Sequence, residues 1–479
     1  MTQLRKIAFH TSAQIVGKII STALGLVAVM IITRSLGAEK FGWYITAAGF
    51  LQFVALLSDF GFNITTANFL AEGRFDHNKL LNTLFSWRMS STILINGAAP
   101  LIFLLFPYPQ AVKQAVGIMA ISFFALSLNQ VLAGHYQATL KAARIALAEI
   151  VSRVILVGGV ALAAILHWDF LAVMIVIAVA ALGNCLALVI FGPKLRLSFD
   201  KIISQAIYKK IWPNALAVML NAFYLQGDRV ILPLFVGSVV VAQYGASYRV
   251  LDIVIQISAL IMGIMMPLAT SAWTSGKLEE FKNHYQLSLD LVALTIIPLL
   301  AGIYALAEPI LTFVAGPEFS GGGKILRLLS VSLLGVCFGM VFGHLNLALN
   351  RQRQALWIFG SDALLSIIGY FIFIPLFGAY GAAGVTIFSE FYAGIGLLIL
   401  TGRYSHVWPR LNNFLKIVGA AVLMATILLV FPPFNLLGQI VVGAITYLIF
   451  ILLFKVVTAS DWQELRGNQS VVKIRKKSV

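Results

Sequence analysis

The sequence predicts an all-α polytopic membrane protein with about fourteen transmembrane helices. Sixty per cent of its 479 residues are hydrophobic and only 11% are charged, against about a quarter charged in soluble domains. Mean hydropathy is +0.93, so the bilayer is the solvent for most of the chain. Apolar runs of the length needed to cross the hydrocarbon core, roughly 20 residues, recur from end to end at intervals of roughly 30 to 35 residues.

The first run, 13–33, follows Arg5 and Lys6 and ends at Arg34. No small-x-small cleavage site follows it, so it reads as a span and not as a signal peptide. A short turn containing Gly37 and Gly42 leads into a second run, 41–61, which closes on Ser58-Asp59-Phe60-Gly61. Further spans are expected at 80–106, 114–136, 146–167, 169–191, 211–236, 247–270, 290–314, 328–349, 355–376, 380–402, 414–431 and 436–457. The remainder, 459–479, is a polar, basic tail.

The formal net charge is +16. In a soluble domain this would suggest nucleic acid; here no nucleic-acid partner is expected, because the cations mark loops. With the N-terminus placed inside, 24 of the 34 Lys and Arg residues fall on the inner side and six on the outer. The other four, Lys18, Arg88, Arg153 and Arg229, lie within spans. That asymmetry predicts cytoplasmic termini and an even number of spans, facing anionic inner-leaflet lipids. The two cysteines, Cys185 and Cys337, lie in apolar runs and imply no disulfide framework.

The chain resembles itself. Gly37 followed by Tyr44 is matched by Gly237 followed by Tyr244, and Arg144-x-Ala146-Leu147 by Arg353-x-Ala355-Leu356. The near-equal offsets predict two pseudo-symmetric six-helix lobes, 1–200 and 201–410, related by an axis along the membrane normal. Two additional helices, 411–458, and the basic cytoplasmic tail complete the plan.

Several stretches together resemble the polysaccharide repeat-unit flippases, the Wzx-type members of the multidrug/oligosaccharidyl-lipid/polysaccharide exporter superfamily. They are Thr33-Arg34-x-Leu36-Gly37-x-x-x-Phe41-Gly42-x-Tyr44, Ser58-Asp59-Phe60-Gly61, Asp228-Arg229 with Val241-Ala242-Gln243-Tyr244, and Gly316-Pro317-Glu318-Phe319. The resemblance implies a multi-pass protein of the bacterial inner membrane. It implies a flippase that moves an undecaprenyl-pyrophosphate-linked oligosaccharide, such as an O-antigen or other surface-polysaccharide repeat unit, from the inner to the outer leaflet by alternating access. A polysaccharide polymerase and chain-length proteins would be its partners, and the protein a monomer. A lipid II flippase and a drug/cation antiporter of the same superfamily are the alternatives, with a membrane glycosyltransferase or polymerase as the rival class.

Charges inside spans are the candidate functional groups, because each costs about 2.5–3.5 kcal/mol to insert. Arg34, Arg88, Arg153, Arg229 and Arg249 are candidate cavity cations, with Arg88 the leading pyrophosphate ligand through its forked donors. Glu149 stands four residues before Arg153 on one helix face, which reads as a self-neutralising pair. Asp228 and Asp252, beside Arg229 and Arg249, read as members of structural ion pairs. Glu390, Asp59 and Asp362 are candidates for coupling to a proton or sodium gradient, Asp59 the less favoured because a span end is better hydrated. Lys18 should reach back to the inner surface. No enzyme is expected: Gly321-Gly322-Gly323-Lys324-Ile325 lacks the first glycine and the final Ser/Thr of a phosphate loop, and no metal or cofactor motif occurs.

Overall fold

The computed structural model describes residues 3–456 apart from 61, 63–65, 67–68, 71–73, 140, 142, 191, 194 and 432–434. Side chains are described from residue 16, except 210–218 and 221. Gly61 of the second motif and the basic tail 459–479 therefore lie outside the described residues. The described chain is helical and contains no strand. Its helices are α1 (Gln3–Leu57), α2 (His77–Phe103), α3 (Gln110–Ala138), α4 (Ala143–Ile165), α5 (Phe170–Ile190), α6 (Lys201–Ile231), α7 (Ser238–Thr274), α8 (Leu278–Ala305), α9 (Ala307–Ala315), α10 (Gly323–Ala348), α11 (Gln352–Phe377), α12 (Ala379–Ser405), α13 (Asn412–Val430) and α14 (Leu436–Leu453). Eleven helices among the described residues are long and apolar enough to cross a membrane. Large apolar side chains such as Leu94, Ile165 and Ile190 stay exposed on their surfaces, as expected where lipid replaces water. The chain is a multi-pass membrane protein.

Two compact units make up the fold. One comprises Met1–Ala246, Thr312–Gly321 and Phe359–Val385; the other comprises Ser247–Leu311, Gly322–Ile358 and Thr386–Val479.

In the first unit α1 is two helical arms joined at a break. Gly37 is the one non-helical residue inside it, at φ 71°, ψ 174°, a conformation essentially restricted to glycine. The sequence predicts a short turn containing Gly37 and Gly42; the bend is made at Gly37 alone, and Gly42 lies within the second arm. Charges then fall where the helix dipoles favour them. Arg34 ends the first arm and donates from Nη2 to the Phe313 carbonyl at 2.8 Å. Glu318 sits at the start of the second, its Oε2 accepting from the Ala38 N–H at 3.0 Å. Phe41 meets Phe319 edge to face, with ring centroids 5.7 Å apart. Gly42 lies so close to Ser238 that an added Cβ would stand 2.6 Å from its carbonyl carbon. Two of the motif stretches, 33–44 and 316–319, thus meet around one bend.

The first arm of α1 packs along α4 through a seam of small residues, Gly17, Ser21 and Gly25. Spaced by four, they share a face. An added Cβ at Gly17 would lie 2.5 Å from Cβ of Ala146. Apolar association gains little between helices already in lipid, so close backbone packing and polar contacts take its place.

α2 turns a polar stripe inward: Thr83, Arg88, Thr92 and Asn96 are all buried. Asn82 and buried Ser86 on the same helix hold residues 196 and 198 of the connector between α5 and α6. Asn82 Oδ1 accepts from the Arg196 N–H at 3.0 Å and Ser86 Oγ from the Ser198 N–H at 2.9 Å. Trp87 donates from Nε1 to Ser204 Oγ at 2.9 Å.

The second unit is centred on α8, which packs against α10 and α13. Gly335 of α10 and Gly394 of α12 bring those helices into backbone contact. Buried Asn346 donates from Nδ2 to Thr401 Oγ1 at 2.8 Å and to the Leu397 carbonyl at 3.1 Å.

Candidate functional site

Polar side chains collect inside the first unit, within a bundle whose helices are otherwise apolar. Helices α3, α4 and α5 line a half-open cavity of about 380 Å³, whose walls carry Asn129, Gln130, Glu149, Ser152, Arg153 and Asn184 among apolar residues. That size is in the range of small-ligand sites. The backbone of α5 is tied to α4 by Ser152, whose hydroxyl donates to the Ala180 carbonyl at 2.8 Å. Asn129 Oδ1 is buried and accepts no hydrogen bond among the described residues. A buried acceptor left in that state is costly unless a ligand or water completes it.

The charges on the α4 wall divide unevenly. Glu149 accepts from Lys18 Nζ of α1 at 3.1 Å and from Ser21 Oγ at 2.8 Å. Arg153 donates from Nε to Ser21 Oγ at 3.4 Å, and its guanidinium lies along the bare backbone of Gly25. Two expectations are corrected here. Glu149 pairs with Lys18 rather than with Arg153, because the small-residue seam brings α1 within reach of the carboxylate. Lys18 accordingly points across to α4 instead of back to the membrane surface.

Beside the cavity lies a buried cluster built on Arg88, whose side chain is 1% exposed. It pairs with Asp59 at 3.1 Å and donates to the Ser58 carbonyl at 2.8 Å and to Gln130 Oε1 at 2.7 Å. A longer bond of 3.4 Å runs from Nε to the Ser127 carbonyl, and the guanidinium stands 5.7 Å from the Phe62 ring centroid. The sequence placed Arg88 first among pyrophosphate ligands; in this structure its forked donors are taken up by the protein. Asp59, expected to be hydrated at a span end, has a side chain only 14% exposed. Gln130 joins the two groups, receiving Arg88 on one side and lining the cavity on the other.

The remaining candidates are dispersed. Arg34 is exposed at the α1 bend. Asp228 is buried, accepting from Tyr244 Oη and the Arg229 N–H, each at 2.8 Å. The Arg229 backbone packs against Gly49. Asp362 is fully buried in the first unit, with the Ser366 hydroxyl 3.3 Å away. In the second unit Arg249 and Asp252 approach to 4.0 Å, and half-buried Glu390 lies where α12 crosses Gly335. Among the described residues no three His, Cys, Asp or Glu side chains come together as a metal site.

The sequence reading missed Lys18 as a partner for Glu149, and missed Asn129, Gln130 and Asn184. The signal for the amides was present: each interrupts an apolar run, where an unbonded amide is expensive.

Residues 4–273, more than half of the chain, match the model of the family described as "Polysaccharide biosynthesis protein". The chain belongs to that family. The matched residues contain the α1 bend, the cavity and the Arg88 cluster. The "Probable low-salt glycan biosynthesis flippase Agl15" of Haloferax volcanii is 23% identical over 387 residues, covering 78% of this chain and 79% of that protein. Among solved structures, "Lipid II flippase MurJ, inward closed conformation" superposes with a TM-score of 0.78 at 16% identity, covering 92% of this chain and 98% of that one. An inward-facing multidrug resistance MATE family transporter of the MOP superfamily gives 0.68 at 14% identity, covering 81% and 94%. These likenesses establish the fold.

Proposed function

We propose that this protein is a flippase for a lipid-linked oligosaccharide, moving an undecaprenyl-pyrophosphate-linked repeat unit from the inner to the outer leaflet of a bacterial inner membrane. The observation that carries the proposal is the cavity in the first unit: Arg153 with terminal donors that have no partner among the described residues, a carboxylate, Glu149, already paired with Lys18, and amides and a hydroxyl, set in an apolar bundle. Amides and hydroxyls suit sugar hydroxyl groups, and a guanidinium suits a phosphate or carboxylate by paired hydrogen bonds. The family match and the relative's description as a glycan flippase support the same reading. Arg153 takes the leading role as headgroup ligand, with Arg34, Arg229 and Arg249 as further contacts along the path and the lipid tail remaining in the bilayer.

The reading includes fourteen spans with cytoplasmic termini, two six-helix repeats, and alternating access. Glu390, Asp362 or Asp59 would couple transport to a proton or sodium gradient. Lipid II is the competing cargo, favoured by the fold likeness to a lipid II flippase.

The test is a deletion strain complemented with this chain. Lipid-linked repeat units should accumulate on the inner leaflet without it and clear with it. Arg153→Ala should abolish clearance at normal protein level, and Arg153→Lys should restore it only in part. Clearance of lipid II instead would reassign the cargo. Full activity of Arg153→Ala would remove the cavity from the transport path.

A further inference from the structure

Glu149 and Arg153 stand four residues apart on α4 with the acid first, the order in which such a pair forms most readily on a helix. They do not form one. Glu149 is held instead by Lys18 and Ser21 of α1. The terminal nitrogens of Arg153 have no hydrogen bond or ion pair among the described residues; only its Nε is engaged, at 3.4 Å. Of the two cations near this carboxylate Lys18 takes it, and Arg153, the one left over, borders the cavity.

Stability is a weak reason for this arrangement. Either cation would neutralise Glu149, so pairing with Lys18 rather than with Arg153 gains little by itself. Its effect on charge is larger. Without Lys18, only the Ser21 hydroxyl would hold Glu149 toward α1, and Arg153, four residues on along the same face, would compete for the carboxylate. We propose that Lys18 is a positioning residue of the cavity: by holding Glu149 toward α1, it keeps the Arg153 guanidinium available for an anionic oxygen of the transported molecule. This rests on the flippase reading and adds to it a residue that touches no substrate. The anionic oxygen belongs either to the lipid pyrophosphate or to an acidic sugar, which present the same acceptor chemistry.

The experiment uses the purified full chain in nanodiscs, with undecaprenyl pyrophosphate and a glucuronate-terminated lipid-linked disaccharide as probes. Lys18→Met should weaken binding of the probe the parent chain recognises by about tenfold, with an unchanged melting temperature. The Lys18→Met/Glu149→Gln double variant should recover most of that loss, because the neutral amide no longer competes for Arg153. Lys18→Arg should bind as the parent does. Competition by inorganic pyrophosphate assigns the anion to the lipid phosphate, and competition by free glucuronate assigns it to a sugar acid; binding displaced by neither overturns the anion site. If Arg153→Ala loses binding while Lys18→Met does not, the positioning role falls and the flippase reading stands. A double variant as weak as the single one also overturns the positioning role. A parent chain that binds neither probe overturns both proposals.

Discussion

The Arg88 cluster allows a quantitative test of whether a buried charge serves the fold or the cargo. Asp59→Asn keeps the shape of the side chain and removes its charge. The guanidinium, 1% exposed, would then rest on three neutral acceptors: the carbonyls of Ser58 and Ser127 and the Gln130 amide. Breaking a buried pair from one side costs about 3–5 kcal/mol, because an uncompensated charge remains. Arg88→Met should cost less than that, since Asp59 at 14% exposure can gain water. The double variant should cost less than the sum of the two, with a coupling of about 2 kcal/mol. Denaturant or thermal unfolding of the purified protein measures the cycle, and clearance of the lipid-linked repeat unit measures function. If Arg88 is structural, the double variant recovers transport along with stability. Recovery of stability without transport would refute that reasoning and give the pair a part in transport, Arg88 as a substrate ligand or Asp59 as the coupling group. Additive losses would show that the 3.1 Å contact carries no coupling.

Two further outcomes concern the α1 bend. Gly42→Val should open the approach to Ser238, because its Cβ would fall inside the Ser238 carbonyl group; a loss of about 1–3 kcal/mol is expected from unfolding measurements, and an unchanged melting temperature would contradict the packing. Glu318→Ala should release the Ala38 N–H and cost about 1 kcal/mol, as loss of a helix cap does, whereas Glu318→Gln should retain part of the bond and cost about half as much. Equal effects of the two in the same melting assay would show that the carboxylate does not cap the second arm.

The apolar runs made the membrane class legible, since nothing else satisfies backbone groups in lipid. The motif residues were legible as a family signature, although their convergence was not: Gly37, Gly42, Glu318 and Phe319 are far apart in sequence, and only the packed first unit shows Glu318 capping the second arm of α1. Arg88 stood out as a buried charge, yet its partners Ser58, Ser127 and Gln130 come from two other segments. The exchange of partners at Glu149 was illegible for a related reason. Spacing along α4 favours Arg153, and the preference is overridden by a contact 131 residues away.

The connector between α5 and α6 has a consequence for motion. Four residues along a helix rise about 6 Å, and two residues of extended chain rise about 6.6 Å. Asn82 and Ser86, four apart on α2, therefore meet the N–H groups of residues 196 and 198, two apart on the connector, in matching register. Residues 196 and 198 are thereby held to α2 at two points. A one-residue slip of an extended segment would turn both N–H groups away from α2, so any sliding there breaks the two bonds together rather than one at a time.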